Sequence, residues 1–158
     1  MLIALSLFGA GAALSSRLYA QIPPPFAAPT TPAAQRSSLK AVQTQVKWLQ
    51  DATRTAPNYV TGGADKLWQQ MQVVRGAYSA FKATLAPAQV AHGANDLAEL
   101  DAGLDIIEEA FVGYQEEIAG GRSPSVALRG LCQVLTQSMG LWLRELNQSS
   151  NRLRVGWP

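Results

Sequence analysis

The chain has 158 residues, of which 47% are hydrophobic and 15% charged, and its formal net charge at pH 7 is +2. That is one domain's worth of sequence with enough apolar residues for a core. So small a charge, with no basic cluster, gives no footing for nucleic-acid binding.

Residues 1–20 open with MLIALSLFGAGAAL, an uncharged apolar run about as long as the central region of a secretory signal and short for a bilayer span. SSRLYA and then QIPPP follow, which predicts a signal peptide cleaved after Ala20. No Lys or Arg precedes the run, and Arg17 falls in the cleavage region, so an uncleaved N-terminal anchor is the alternative. Either way the expectation is an exported protein, periplasmic or secreted, touching a membrane only through this segment. Residues 21–31 contain Pro23, Pro24, Pro25 and Pro29 and read as an extended, Pro-rich spacer.

The remainder, 32–158, is patterned for helices. Thr31-Pro32 is a capping hydroxyl followed by a first-turn proline. Leu39, Val42, Val46 and Leu49 then form an apolar seam, and Pro57 ends the helix. After the breaker-rich PNYVTGG, a second helix is expected from near Asp65, with Leu67, Met71, Val74, Tyr78, Phe81 and Leu85 as its seam. The linker APAQVAHGA has room for one short helical turn. Asn95 to Ala119 is the best-patterned stretch: Leu97, Leu100, Leu104, Ile107, Phe111, Tyr114 and Ile118 recur at spacings of three and four. Asn95 is the expected cap, and Gly120-Gly121 the stop. Ser123-Pro124 opens a fourth helix with Leu128, Leu131, Leu135, Met139, Trp142 and Leu146 on its seam. No alternating strand pattern of useful length occurs. The prediction is an all-α protein, an antiparallel four-helix bundle in up-down-up-down order, which the mostly short connections favour and the longer middle connection does not strictly require.

The third helix is chemically lopsided. Asn95–Ala119 holds eight acids and no Lys, Arg or His. About 100° per residue sorts it into an apolar seam, a strip with Gly103, Ile106, Ala110 and Gly113, and an acidic face of Asp101, Asp105, Glu108, Glu109 and Glu116. The small residues suit contact with two neighbours at once. Asp101/Asp105 and Asp105/Glu109 are like charges four apart, a mild destabilisation that something must offset. The other helical segments carry twelve Lys and Arg against three acids, nearly the matching charge. Two readings stand: the flanking bases meet this face and water covers the rest, or the strip binds a basic protein partner or attracts divalent cations.

Familiar chemistry is missing. The single histidine, His92, cannot furnish the Glu-x-x-His pairs of a di-iron bundle or a zinc site. The acids lack the spacing of a calcium loop, and no nucleophile motif accompanies His92. The single cysteine, Cys132, rules out an intrachain disulfide framework and reads as a buried thiol, with an intermolecular disulfide as the alternative. No catalytic residue, metal or cofactor is expected. Met71 and Met139 lie on seams and suit either gap-filling or an apolar ligand between the helices. Trp48 and Trp68 fall beside their seams and Trp157 in the tail, either widening the buried face or marking a contact surface. The functional expectation is a non-enzymatic exported protein acting through protein–protein contact, as an envelope scaffold, adaptor or secretion- or pilus-associated component. The alternative is a carrier of a small apolar ligand in the bundle core.

Overall fold

The computed structural model describes residues 31–58 and 62–157; the expected signal peptide, and all of the spacer except Thr31, lie outside them. Among the described residues every secondary-structure element is a helix and there is no strand. α1 spans Pro32–Thr55, α2 Gly63–Ala83, α3 Pro87–His92, α4 Ala94–Ala119 and α5 Pro124–Arg152, with a 3-10 turn over Ala56–Asn58. No helix among them is long and apolar enough to cross a membrane.

The ends of the helices show why the chain breaks where it does. The Thr31 hydroxyl accepts from the Ala34 N–H at 3.2 Å, with Pro32 in the first turn. α3 is the helical turn expected in the middle linker. Asn95, expected as a cap, lies inside α4; Gly93 holds the cap position without a side-chain bond. The reason is crowding. α3 runs into α4 across Gly93 alone, and a Cβ there would stand 2.1 Å from the Leu153 side chain. α4 ends as a glycine stop should: Gly121 has φ +84°, its N–H reaches Ile118 O at 3.0 Å, and the Arg122 N–H reaches Glu117 O at 2.9 Å. Ser123 precedes Pro124 as expected, but its hydroxyl pairs with that of Ser125 (3.1 Å) and caps no backbone N–H. α5 closes in the same manner as α4, with Arg154 at φ +51° in the glycine's place, a conformation costing roughly 1 kcal/mol for a residue with a Cβ.

The four seams meet in one buried cluster, with Val46, Leu49, Met71, Leu135, Met139 and Leu146 at its centre. Removing each such side chain from water is worth about 1.5–3 kcal/mol. Leu39 and Tyr114 are only partly covered. Cys132 is buried, and burial pushes its thiol above the ordinary range.

Cross-helix bonds fix the directions. Gln35 and Gln45 of α1 meet Thr84 and Gln70; Gln43 and Thr53 meet Asn147 and Thr136 of α5. Trp68, Arg75 and Lys82 of α2 meet Phe111, Glu108 and Asp101 of α4. Leu100 and Asp96 of α4 meet Trp142 and Arg152 of α5. In every pair one set of numbers rises as the other falls, so each pair is antiparallel. α2 and α4 approach least closely of the four pairs.

One end is tied by a buried amide. The Gln35 amide donates to Thr84 O (3.0 Å) and Gln89 Oε1 (2.7 Å) and accepts from the Gly156 N–H (3.0 Å). The Gln89 amide donates in turn to Leu153 O at 2.9 Å. Nothing in the local sequence marks Gln35, since its partners lie 49, 54 and 121 residues away along the chain.

Candidate functional site

The acidic face of α4 divides according to what α2 and α5 place opposite it. Lys82 donates to both Asp101 oxygens at 2.6 and 2.9 Å while its ammonium lies 4.9 Å from the Tyr78 ring centroid. Arg75 grips Glu108 through two bonds, Nε to Oε1 at 2.7 Å and Nη2 to Oε2 at 3.0 Å, and also reaches Asp105. The hydrogen bond that Arg75 donates to Asp105, followed by those it donates to Glu108, raises its pKa above the ordinary value despite some desolvation. Three acids of the strip therefore face bases of α2. Glu109 and Glu116 are exposed, and no described residue pairs with them. The carboxylates do not converge as one cluster; they form a ladder whose lower rungs are filled.

A second acidic group lies at the N-terminal end of α4. Asp96, Glu99 and Glu145 bring oxygens within 4.8 Å of one another, the arrangement that invites a cation. The Arg152 guanidinium serves as that cation, bonding Asp96 at 2.9 and 3.0 Å and Glu145 at 2.6 Å. Its bond to Asp96 is the main reason that carboxyl titrates below the usual range. The group holds α4 to α5.

Of the two glycines in the small-residue strip of α4, one is closely approached. A Cβ on Gly103 would stand 2.9 Å from Trp142 Cδ1, and this approach lets the indole N–H bond Leu100 O at 2.8 Å. Gly113 would meet nothing within 4 Å, and Ile106 is exposed. Trp142 stacks edge-on to Tyr78 with ring centroids 5.3 Å apart. Burial, with the charge of Asp101 second, drives the Tyr78 phenol well above its ordinary range.

From the Arg75 rungs onward, α2 and α4 leave an open groove of about 540 Å³. Its apolar floor is Ala64, Trp68, Phe111 and Val112, and its rim carries Asp65, Asp105, Glu108 and Glu109. Trp68 meets Phe111 edge-on, centroids 5.0 Å apart. Trp68 keeps 40% and Val112 58% of their surface exposed. Asp65, like Glu109, has no partner among the described residues. Sequence pattern pointed to Glu109 and Trp68 but not to Val112 or Asp65. The available signal was an apolar residue off the seam of α4, one turn beyond Glu108.

Comparison with known protein families, with curated proteins and with solved structures returns no match.

Proposed function

We propose that the protein is an exported, non-enzymatic module acting by protein–protein contact, built as an antiparallel four-helix bundle of α1, α2, α4 and α5 in up-down-up-down order. The antiparallel pairing of α1 with α2, α2 with α4, α4 with α5 and α5 with α1 supports the bundle. Support for export comes from the apolar run and Pro-rich segment of residues 1–31.

The observation that carries the contact reading is the α2/α4 groove. It sets a half-exposed tryptophan beside an exposed valine, under a rim in which Asp65 and Glu109 lack bases. Aromatic anchors surrounded by polar groups mark protein interfaces. The single histidine and the single cysteine lie elsewhere: His92 is exposed at the end of α3 and Cys132 is buried. A core carrier is less well supported, because Met71 and Met139 have no exposed surface and the groove opens outside the seams.

Photocross-linking in the producing cell tests this. A photoreactive phenylalanine analogue replaces Val112, or Lys47 on the far side of α1 as control. A discrete adduct from position 112 and none from 47 is expected; no adduct from 112 ends the contact reading. Fractionation with N-terminal sequencing tests export: the expected mature chain begins at Gln21 or stays membrane-attached, and a cytoplasmic full-length chain refutes it.

A further inference from the structure

The contact reading leaves the occupant of the groove open, and the inference here rests on that reading. We propose that the α2/α4 groove takes a basic amphipathic helix of a partner protein, docked by its apolar face with arginine or lysine along its flanks.

Length and walls come first. The α4 side of the groove runs from Asp105 to Gln115, about 15 Å at 1.5 Å per residue, which matches about three turns of a partner helix. Both walls are helices whose backbone groups are engaged within them, so an added strand would find no ladder to extend. Recognition by side chains, with apolar anchors at i, i+3 or i+4 and i+7, is the mode that suits such walls.

Charge supplies the second part. Asp65, Asp105, Glu108 and Glu109 rim the groove, and Arg75 covers only Asp105 and Glu108. The rim is therefore negative on a chain whose net charge is +2. A basic segment attracted here responds to the local field, since the molecule as a whole repels it weakly. Acidic partners are disfavoured by that rim, which outweighs the weak overall charge at close range.

Trp68 selects the cation further. Tyr78 and Trp157 each carry a cation over the ring, Lys82 at 4.9 Å and Arg154 at 6.0 Å from the centroid. Trp68 has none among the described residues and stays 40% exposed beside two carboxylates without partners. An arginine guanidinium can stack on that indole and still bond Asp65 or Glu109, which favours arginine over lysine at one flank.

The test uses a labelled 14-residue Leu/Arg peptide patterned as an amphipathic helix, with a Leu/Glu peptide of the same pattern as counterpart, read by fluorescence anisotropy against the whole chain. Saturable binding of the Leu/Arg peptide alone is expected. The double variant Asp65→Asn/Glu109→Gln should weaken it about three- to tenfold, and so should raising NaCl from about 50 to 300 mM, as for pairs open to solvent. Arg75→Gln, which uncovers Asp105 and Glu108, should tighten it about two- to fivefold. Glu99→Gln, away from the groove, should change nothing; circular dichroism checks that each variant stays helical. Equal binding to the double variant, equal binding of the Leu/Glu peptide, or no saturable binding overturns the proposal. If Val112 cross-links a partner while the Leu/Arg peptide does not bind, the contact reading stands and this occupant is wrong.

Discussion

The two halves of α4 share a composition and differ in what surrounds them. Along the first half and into the turn that follows it, Asp96, Asp101, Asp105 and Glu108 each meet an arginine or lysine from α2 or α5, and Gly103 admits Trp142. Along the second half, Glu109 and Glu116 meet no base among the described residues, Gly113 faces open space and Val112 is exposed. A carboxylate is thus a clamp or a docking group according to the helix opposite. Facing the first half, α2 offers Arg75 and Lys82; facing the second, it offers Trp68 and Asp65.

The most severe way to break the clamped half is Trp142→Ala. It removes a buried ring, its bond to Leu100 O and its edge-on contact with Tyr78, with an expected loss of about 3–5 kcal/mol in urea unfolding. Trp68→Ala, at the open half, removes a ring already 40% exposed and should cost about 1 kcal/mol, the scale of a single edge-on aromatic pair. Similar losses for the two would erase the distinction between the halves.

The glycines sharpen the same comparison by sign. Gly103→Ala drives a Cβ to within 2.9 Å of the Trp142 ring, which the Leu100 bond holds in place. Overpacking of about 1–3 kcal/mol exceeds the roughly 1 kcal/mol that alanine returns to a helix, so the variant should lose stability. Gly113→Ala meets nothing within 4 Å and should gain about 0.5–1 kcal/mol. Thermal melts of the two variants should move in opposite directions; a common direction would contradict the packing described for Gly103.

How much of this was legible depends on how far each feature's cause lies along the chain. One apolar residue per turn suffices to bury a helix face, so the seams, the all-helical class and the helix-ending Gly120-Gly121 could be read from short windows. Asn95 misled because capping depends on what precedes it: α3 arrives at Gly93, and Leu153, sixty residues away, needs a position without a Cβ. Gln35 was illegible for the same reason, its partners being Thr84, Gln89 and Gly156. The balance of charge hinted that α4's acids would be met, but which ones depended on register. Arg75 and Lys82, seven residues apart on one face of α2, settle it for Asp101, Asp105 and Glu108 and leave Glu109 outside.

Titration at high pH probes the clamped half through Tyr78. Its phenol is raised above the ordinary value of about 10, first by burial and then by Asp101. The folded state therefore holds this proton more tightly than the unfolded chain. The stability it contributes is whole below pH ~10 and is lost as pH climbs from there towards the folded value. Tyr78→Phe gives up only the 3.5 Å bond to Leu97 O and should flatten the alkaline end of a stability–pH curve. An unchanged alkaline limb in Tyr78→Phe would contradict the buried, neutral phenol.

The smallest effect belongs to Asp96 at the acid end. Its carboxyl is lowered chiefly by the Arg152 bond, against a desolvation cost. A lowered folded value means that the unfolded chain binds the proton first. The contribution is present above the ordinary carboxylate range of about 3.9 and is lost as pH falls through the folded value. The side chain is 23% exposed and solvent screens the pair, so the slope it adds is shallow. Asp96→Asn should lose that slope at low ionic strength and differ less in high salt, where screening has already weakened the pair. If Asp96→Asn leaves the acid limb as it was, the Arg152 bond does not set this carboxylate apart, and the contrast between the halves reduces to the packing around Trp142.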